Sequence, residues 1–443
     1  MAEVATVALK EEAREIFLEA LEEVDVARAL ARKAKRSGNR LQLGAEEVDL
    51  AAYTQVWIVS FGKAAWPMFH ALVAVLSDDF RPTRGVIASN SPPEKIFTGF
   101  MAVQAPHPYP DARSQDAADK ILQLCKDSDE KTLLFFLISG GGSAMVESPL
   151  DKTVTLADMT ALNRILVGCG ATIEEMNAVR KHLSAVKGGR LAEAAPKARK
   201  VTLLLSDAPE GSWATIASGP TLADPSTVET CYEVATRFNL LPRMPASIRA
   251  LFEEKKLKET LKESAPPRPA GSLALVLLSN KDAVEAARNA AERHGYAVEL
   301  ELACDDWEVP RAVDFLLARL AELKQRNAEK TVCLISGGEL SSPVLGDGRG
   351  GRNQAFVLDA VEKIAGCNIA VLSAGTDGVD GNSPAAGAVA DGETIARARR
   401  LGLDPMDYFH RSDSYYFFEG LGDALVTGPT GNNLRDLRIL LTR

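Results

Sequence analysis

The stretch Leu137-Ile138-Ser139-Gly140-Gly141 occurs a second time as Leu334-Ile335-Ser336-Gly337-Gly338, and both copies end an apolar run. A buried strand that ends in glycines exposes backbone N–H groups at its carboxyl end, which is where ligands bind in an open parallel sheet. Glycines at that position let an anionic ligand approach the main chain closely. The repeat therefore predicts two glycine loops, one in each half of the chain, that form opposite walls of a phosphate-binding cleft.

Around these two copies, short apolar runs alternate with segments of helical periodicity. The predicted strands are Val56–Phe61, Gly85–Ser89, Leu133–Ser139, Val201–Ser206, Leu273–Ser279, Thr331–Ser336 and Ile369–Ser373. Runs that are apolar throughout are typical of parallel strands covered by helices on both faces. Ahead of the first strand, the apolar spacing predicts one amphipathic helix from about Lys10 to Lys35. The alternation of strands and helices indicates an α/β fold.

Chain length and a proline-rich segment predict two domains. A chain of 443 residues is longer than a single hydrophobic core usually organises. Residues 263–272 contain three prolines and a Gly-Ser pair, so they cannot continue a helix or a strand and are interpreted as a linker. The predicted domains are residues 1–262 and 273–443, with packing of the first helix on the second domain as an alternative.

Composition and charge disfavour several classes of function. The net charge of −9 argues against nucleic-acid binding, because it would repel phosphates. No apolar run reaches the roughly 20 residues of a membrane span, and the charged first residues lack the apolar core of a secretory signal. The six cysteines are scattered without a Cys-x-x-Cys pair, which indicates buried free thiols in a reducing compartment. These features predict a cytoplasmic protein, they do not exclude a small anionic ligand, and they leave homo-oligomerisation open.

Polar residues follow several of the predicted strands at the point where each strand ends. These residues are Lys63, Ser139–Ser143, Asp207, Ser336–Glu339 and Thr376-Asp377. Because the carboxyl ends of parallel strands meet at one edge of a sheet, a cation, backbone donors, hydroxyls and acids are expected to meet there. Phosphoryl transfer needs such a set, since cations and N–H groups neutralise phosphate oxygens and acids hold Mg²⁺.

The predicted binding residues of the first half each have a plain structural alternative. The loop Ser139-Gly140-Gly141-Gly142-Ser143 is predicted to bind substrate or nucleotide, although a tight turn remains the alternative. Lys63 opposes the dipole of the helix that it begins, so a bound anion explains it better than solvent exposure. His107 lies between two prolines and is interpreted as lining the site or as a rigid corner.

The glycine-rich segment Gly346–Gln354 carries a second predicted cation, Arg352. Its position before a predicted helix at Asn353–Ile364 is unfavourable without an anion. A guanidinium that binds phosphate or carboxylate through two hydrogen bonds explains Arg352 better than a flexible surface loop does. The other binding residues predicted in this half are Ser336, Gly337, Gly338, Gly351, Asn353 and Thr376.

Three carboxylates are the predicted Mg²⁺ ligands. They are Asp207, Glu339 and Asp377, each of which follows the end of a predicted strand. Carboxylate oxygens are the ligands that Mg²⁺ commonly takes from proteins. Asp207 is also predicted to be catalytic, as the residue that orients the hydroxyl under attack.

In their order along the chain, these motifs resemble one known family, the glycerate 2-kinases of the MOFRL type. The matching segments are Phe61-Gly62-Lys63-Ala64, His107-Pro108, Leu137–Ala144, Ala171-Thr172-Ile173 with Asn177 and Arg180-Lys181, Lys187-Gly188-Gly189, Leu205-Ser206-Asp207, Ile216–Thr221, Ser336–Glu339, Gly348–Gln354, Gly375–Gly378 with Asp380-Gly381, and Thr427–Gly431. The resemblance covers nearly the whole chain. It implies a Rossmann-like N-terminal domain and a second α/β domain with the active site in the cleft between them.

The same resemblance implies an activity and two functional residues. The expected reaction is phosphorylation of D-glycerate on its 2-hydroxyl by ATP, with Mg²⁺ or another divalent cation, to give 2-phosphoglycerate. In the family, the lysine at the position of Lys63 and the arginine at the position of Arg352 are the proposed functional residues. These are the two cations that the strand-end argument also selects.

Two other classes of function agree less well with the sequence. A hydroxypyruvate reductase would need a Gly-x-Gly-x-x-Gly turn after a strand, and the turn at Val59–Lys63 has a single glycine. A non-enzymatic anion-binding protein would not need acids at the strand ends, because acids repel an anion unless a metal intervenes. The chain also lacks Gly-x₄-Gly-Lys-[Ser/Thr], so the predicted kinase is not of the P-loop type.

Overall fold

The computed structural model describes residues 2–92, 98–208, 211–263 and 272–443. Most of the predicted linker, residues 264–271, lies outside the described residues. The chain divides into two compact units. The central unit runs from Ala29 to Leu277, and the terminal unit combines the residues up to Arg28 with Leu278–Arg443. The first helix therefore belongs to the same unit as the C-terminal part of the chain.

All seven predicted strands form, with ends within two residues of those predicted. The described strands are β1 (Ala34–Ser37), β2 (Arg40–Leu43), β3 (Glu46–Asp49), β4 (Gln55–Phe61), β5 (Arg84–Ser89), β6 (Phe100–Gln104), β7 (Thr132–Ile138), β8 (Arg199–Leu205), β9 (Leu273–Leu278), β10 (Ala297–Leu300), β11 (Val332–Gly338), β12 (Ile369–Gly375), β13 (Gly387–Asp391), β14 (Ala424–Leu425) and β15 (Asp436–Thr442).

The α-helices of the described residues alternate with these strands. They are α1 (Ala2–Glu23), α2 (Val26–Lys33), α3 (Ala65–Leu76), α4 (Ala112–Asp127), α5 (Gly142–Met145), α6 (Leu156–Val167), α7 (Ile173–Leu183), α8 (Arg190–Ala194), α9 (Val228–Arg237), α10 (Ala246–Glu253), α11 (Asn280–Arg293), α12 (Val309–Arg326), α13 (Arg352–Lys363), α14 (Thr394–Arg400), α15 (Pro405–His410) and α16 (Ser414–Leu421). Short 3₁₀ turns cover Leu50–Ala52, Asp78–Phe80, Trp213–Ser218 and Leu241–Arg243.

The central unit is built on a six-stranded sheet in the order β6-β5-β4-β7-β8-β9. Strand β4 pairs in parallel with β5 and β7, and β5–β6 and β7–β8 are parallel as well. Every residue of β7 is buried, as predicted for strands that helices cover on both faces. A second hydrophobic cluster joins α6, α7, α9 and α10. The parallel order brings the carboxyl ends of β4, β7 and β8 to one edge of the sheet.

The terminal unit has a six-stranded sheet in the order β10-β11-β15-β12-β13-β14, and this sheet is mixed. Strand β15 runs antiparallel to both β11 and β12, so the all-parallel pattern predicted from the apolar runs does not hold here. The register sets Asp436, the first residue of β15, opposite both Gly338 and Gly375. The beginning of β15 therefore lies at the carboxyl ends of its two neighbours.

The prediction of a single helix from Lys10 to Lys35 is wrong, because two helices and a strand occupy this segment. A carboxylate oxygen of Asp25 accepts a hydrogen bond from the backbone N of Arg28 at 2.9 Å. Asp25 thereby caps the beginning of α2 and separates it from α1. The last residues of the predicted helix form β1 instead.

The structure bears on two predictions that came from composition. All six cysteines are free thiols, as predicted, although Cys367 is exposed and Cys169 only partly buried. Within the described part of the chain, no helix has both the length and the apolar character needed to cross a membrane.

Candidate active site

Lys63 lies in the turn between β4 and α3, where its backbone is joined to the first glycine loop. The N–H of Lys63 donates to the carbonyl of Gly140 at 2.9 Å, and the N–H of Ala64 donates to Oγ of Ser139 at 3.0 Å. Gly62 has a φ of +117°, and a Cβ atom added to it would lie 2.3 Å from Oγ of Ser139. Only glycine therefore allows the two turns to approach this closely.

The first glycine loop brings the side chains of Lys63 and His107 together. A Cβ atom added to Gly141 would lie 3.1 Å from Cδ2 of His107 and 3.3 Å from Cγ of Lys63. Gly141 itself has a left-handed φ of +80°. His107 is exposed and precedes Pro108 through a cis peptide bond. Three predicted site residues, which follow β4, β6 and β7, thus meet at one edge of the central sheet.

The remaining residues of this loop differ in what they can offer to a ligand. Ser139 is fully buried, and its hydroxyl holds the turn that contains Ala64. Gly142 begins α5, and a Cβ atom added to it would lie 2.8 Å from the ring of Phe61. Ser143 is partly exposed. Gly141 and Ser143 are therefore the accessible part of the loop, while Ser139 and Gly142 are packed behind it.

Asp207 follows β8, the neighbour of β7 in the central sheet. Asp207 is partly exposed, whereas Ser206 before it is buried. The N–H of Ala208 donates to Oγ of Ser206 at 3.3 Å, which fixes the turn. The central unit thus supplies a lysine, a glycine loop, a histidine and a carboxylate at the ends of parallel strands.

The glycines of the second Ser-Gly-Gly, at the end of β11, have a different structural role from those of the first copy. All three of its residues are buried. A Cβ atom added to Gly337 would lie 2.1 Å from Oδ1 of Asn280, and this oxygen accepts the N–H of Gly338 at 2.8 Å. Oγ of Ser336 lies 3.5 Å from Nε of Arg438. Packing against Asn280 therefore accounts for the glycines of this copy.

Arg352 is the first residue of α13, and its guanidinium is paired with two carboxylates. Nε lies 2.5 Å from Oδ2 of Asp436, and Nη2 lies 3.1 Å from Oδ1 of the same residue. Nη2 also donates to Oε1 of Glu339 at 2.9 Å. Burial disfavours the charged guanidinium, but Asp436 and Glu339 outweigh this effect and raise the pKa of Arg352 above its ordinary value. Two of the protein's own carboxylates thus face the cation that the sequence predicted to need an anion.

Asp436 was not predicted from the sequence, although it is the main partner of Arg352. The available signal was Arg435-Asp436-Leu437-Arg438, three charges at the beginning of an apolar C-terminal run. Charges in such a run need partners when they are buried. Arg435 finds one in Asp305, through two hydrogen bonds of 2.7 Å. The register of β15 between β11 and β12 brings these charges to the edge that carries Glu339.

Gly351 and Asn353, two predicted binding residues, are packed around the buried carboxylate of Asp380. Oδ1 of Asp380 accepts the N–H of Asn353 at 3.1 Å, and Oδ2 accepts the N–H of Gln354 at 2.9 Å. A Cβ atom added to Gly351 would lie 2.3 Å from Oδ1. Asp380 therefore anchors the beginning of α13 and, with it, the position of Arg352.

Because Asp380 is buried, its ionisation should change the free energy of unfolding. Burial raises the pKa of its carboxyl group from 3.8 to about 6, although the hydrogen bonds from Gln354 and Asn353 oppose the rise. Because the folded pKa exceeds the unfolded one, ionisation of Asp380 opposes folding. This destabilisation is absent well below pH 4, grows between about pH 4 and pH 6, and is complete above about pH 6.

We therefore expect a pH-dependent difference in stability between the wild type and an Asp380→Asn variant, which cannot titrate at this position. The free energy of unfolding of the wild type, minus that of the variant, should fall by about 2 kcal/mol between pH 4 and pH 7. Urea denaturation over this pH range measures the difference, and other titrating groups cancel in it. A difference that stays flat or rises with pH would contradict a raised pKa.

Thr376 and Asp377 follow β12, the second strand that pairs with β15. The hydroxyl of Thr376 is buried, donates to the carbonyl of Arg435 at 2.7 Å and accepts the N–H of Leu434 at 2.8 Å. Oδ1 of Asp377 accepts the N–H of Val379 at 3.1 Å, and this residue is partly exposed. Thr376 thus joins the loop to the beginning of β15, and Asp377 is the more accessible of the two.

The glycine-rich segment before Arg352 is held in place rather than forming a loose surface loop. The N–H of Arg349 donates to Oδ1 of Asp413 at 2.9 Å, and its Nε donates to the carbonyl of Asn382 at 3.1 Å. A cavity of about 420 Å³ opens beside the segment. Its lining residues are Asp347, Gly348, Arg349, Asn382, Arg411, Asp413 and Tyr416.

The three predicted metal ligands are divided between the two units of the chain. Among the residues that the structure describes, no group of three or more His, Cys, Asp or Glu side chains is arranged to hold a metal ion. Asp207 belongs to the central unit, whereas Glu339 and Asp377 belong to the terminal unit. One oxygen of Glu339 is already engaged by Arg352.

The fold and these strand-end residues define a class of α/β proteins with a glycine loop that is not a P-loop. Two models of known protein families match this chain. Residues 12–253 match the model of a domain of unknown function, DUF4147, and residues 332–436 match the model of the MOFRL family. In this chain the DUF4147 region precedes the MOFRL region, and the relatives described next show that the chain belongs to the glycerate kinase family.

Individual relatives match over nearly the full length. The D-glycerate 2-kinase of Thermotoga maritima is 36% identical over 390 residues, which cover 87% of this chain and 90% of that protein. The glycerate 2-kinase of Pyrococcus horikoshii is 32% identical, with 96% and 95% covered. A crystal structure of the Thermotoga maritima glycerate kinase matches with a TM-score of 0.83 and 33% identity, covering 98% of this chain and 100% of that one.

Proposed function

We propose that this protein transfers the γ-phosphoryl group of ATP to the 2-hydroxyl of D-glycerate, giving 2-phosphoglycerate and ADP. The observation that carries this proposal is the similarity to kinases named for this substrate along nearly their whole length, 95% in the case of the Pyrococcus horikoshii enzyme. The cluster of Lys63, His107 and the first glycine loop at the edge of the central sheet supports the same chemistry.

In the central unit, we propose that Lys63 and the accessible part of the glycine loop bind anionic oxygens. The ammonium group neutralises negative charge, and backbone N–H groups donate hydrogen bonds without any change of conformation during the reaction. The loop is fixed to the turn of Lys63 by two hydrogen bonds, so the cation and the donors keep one geometry. We propose that Asp207, at the end of the neighbouring β8, orients the 2-hydroxyl for attack on the phosphorus.

In the terminal unit, we propose that Arg352 binds the glycerate carboxylate or the transferring phosphoryl group. Asp436 and Glu339 engage Nε and Nη2, and no hydrogen bond within the described part of the chain engages Nη1. The side chain of Arg352 is 35% exposed, and we propose that a ligand oxygen binds at this nitrogen. A guanidinium that is held on one side by a buried carboxylate keeps its orientation. This favours directional binding of an oxyanion.

A divalent cation such as Mg²⁺ would supply charge neutralisation at the ATP phosphates. Mg²⁺ in kinases is commonly held by one or two carboxylates together with phosphate oxygens and water. The described residues fit this arrangement better than an all-protein cage, because they form no three-ligand group. We propose Asp207, Glu339 and Asp377 as the candidates for such a ligand; for Glu339 this is the oxygen Oε2, since Oε1 accepts from Arg352.

An assay of product identity tests the proposed function. We expect purified protein to release ADP when it is given D-glycerate, ATP and Mg²⁺. Coupling to enolase alone, without phosphoglycerate mutase, should reveal the position of phosphorylation, because enolase dehydrates 2-phosphoglycerate and not the 3-isomer. ADP release with no enolase signal would place the phosphoryl group on the 3-hydroxyl.

The same preparation separates the two alternative functions. The chain is also 37% identical over 391 residues to a protein of Agrobacterium vitis that is provisionally named a hydroxypyruvate reductase. Oxidation of NADH or NADPH in the presence of hydroxypyruvate, without ADP release from ATP and glycerate, would overturn the kinase proposal. Binding of glycerate with neither reaction would leave only an anion-binding function.

A further inference from the structure

Ser143, the last residue of the first glycine loop, is held through both its carbonyl and its hydroxyl oxygen. Nζ of Lys187 donates to the carbonyl at 2.9 Å, and Oγ of Ser218 lies 2.8 Å from Oγ of Ser143. Lys187 is 2% exposed and Ser218 is 4% exposed. Both contacts therefore come from buried residues behind the loop.

A buried ion pair supplies the contact to the carbonyl. Nζ of Lys187 donates to Oε2 of Glu147, and Oε1 of Glu147 accepts the hydroxyl of Ser184 at 2.6 Å. Removing two opposite charges from water is unfavourable, and an apolar pair of similar volume often stabilises a core equally well. The feature that an apolar pair cannot provide is the N–H donor to Ser143. The ion pair is therefore better explained by what it holds than by its contribution to stability.

Ser218 belongs to a turn with strained backbone. Ala217 and Ser218 have φ values of +48° and +64°, in the left-handed region that non-glycine residues seldom adopt. Such strain persists where the surroundings impose it, often at functional sites. The carbonyl of Ser218 accepts the N–H of Gly188 at 3.0 Å, so the turn is tied to the segment that carries Lys187. The strained conformation delivers the hydroxyl of Ser218 to Ser143.

We propose that Lys187, Glu147 and Ser218 form a loop clamp that holds Ser143, and with it the glycine loop, in the geometry that binds anionic oxygens. They are positioning residues, because they act through Ser143. The loop has three successive glycines and would otherwise sample many backbone conformations. Fixing its end reduces the ordering that ligand binding must impose. This inference rests on the proposed function of the loop. It gives a role to Lys187 and Ser218, which lie in two sequence motifs to which the proposed function assigns no role.

A double variant separates the role of the clamp in catalysis from its role in stability. In Lys187→Met/Glu147→Gln both buried charges disappear together, and the amide oxygen of the glutamine can still accept from Ser184 and Ser148, so we expect a melting temperature close to that of the wild type. The carbonyl of Ser143 loses its donor, however, and we expect kcat/KM to fall at least about tenfold, mainly through a higher KM for one of the two substrates. A purely structural defect would lower the amount of active enzyme and leave KM unchanged.

The variant Ser218→Ala tests the clamp from its other side and does not remove a charge. We expect it to raise KM for the same substrate about threefold to tenfold, in line with the loss of one hydrogen bond. Lys200→Met is the matched control, because Lys200 is also a buried lysine of the central unit and donates to the carbonyls of Ala195 and Ala198 at 2.6 and 3.0 Å. We expect this control to be less stable but to keep the wild-type KM values.

The possible outcomes distinguish this inference from the proposed function. Wild-type KM values for both substrates in the folded double variant and in Ser218→Ala would overturn the loop clamp and leave the kinase function standing. An equal rise of KM in Lys200→Met would also overturn it, because the effect would then not be specific to Ser143. If the wild-type protein itself does not phosphorylate glycerate, the proposed function fails and the clamp fails with it.

Discussion

Replacing Arg352 by alanine will lower kcat/KM for the phosphorylation of glycerate at least about 100-fold, the scale of a lost charge interaction in the transition state. The guanidinium is oriented by Asp436 and Glu339, and its Nη1 is left for a ligand oxygen. Steady-state kinetics with each substrate varied in turn measures the effect. Arg352→Lys should recover only part of the activity, because an ammonium group keeps the charge but not the planar arrangement of donors.

Arg352→Ala also leaves a buried carboxylate without its partner, so stability must be separated from catalysis. Asp436 is 1% exposed, and we expect a loss of roughly 2 kcal/mol in the free energy of unfolding, below the range for fully buried pairs because Arg352 is partly exposed. The double variant Arg352→Ala/Asp436→Asn removes the stranded charge and should recover stability without recovering activity. If the folded double variant retained activity within about threefold of the wild type, Arg352 would have no part in the mechanism.

Replacing Lys63 by alanine will likewise lower kcat/KM at least about 100-fold, but with little change in stability. Lys63 is partly exposed at the edge of the sheet, and substitutions at such positions usually change stability by less than about 1 kcal/mol. The stem of the side chain lies beside Gly141, and the proposed mechanism has its ammonium group acting at the glycine loop. Circular dichroism and thermal unfolding verify the fold, and kinetics measure the loss.

Two further variants sharpen this test. Lys63→Met keeps a stem of similar length and removes only the charge, so it should be as inactive as Lys63→Ala. Lys126→Ala is the matched control, because Lys126 is an exposed lysine of the same unit in the last turn of α4. It should keep wild-type kinetics. Near-wild-type activity in Lys63→Met would show that the charge is dispensable and would remove Lys63 from the proposed mechanism.

In the central unit, sequence reasoning found strands β4, β5, β7, β8 and β9 and polar residues that follow them, but it missed β1, β2, β3 and β6. The apolar runs of β4, β7 and β8 are local features, and the parallel order follows from their being apolar throughout. The contact between Lys63 and Gly141 follows from the pairing of adjacent strands. The candidate site residues of this unit could be predicted because they follow the ends of strands. Glycines directly after an apolar run indicate such an end in the sequence.

In the terminal unit, the same reasoning found Arg352 but not its partners. Strand β15 contains Asp436 and Arg438, and these charges conceal its apolar pattern. Its antiparallel insertion between β11 and β12 could not be read from the sequence, because register depends on pairing between distant segments. The second Ser-Gly-Gly shows the same limit, since its glycines make room for Asn280 in α11.

The α/β class, the ends of the main strands and the residue types suited to bind an anion could be predicted from the sequence, because periodicity and glycine content are local properties of a chain. Which charges face each other became clear from the folded structure alone. Arg352 and Asp436 are 84 positions apart, and their ion pair exists because two strands share an antiparallel neighbour. Lys187 and Ser143 are 44 positions apart and meet through packing behind the glycine loop. Partner choice among buried charges is a property of the fold, since a buried charge is stable only beside the groups that folding brings to it.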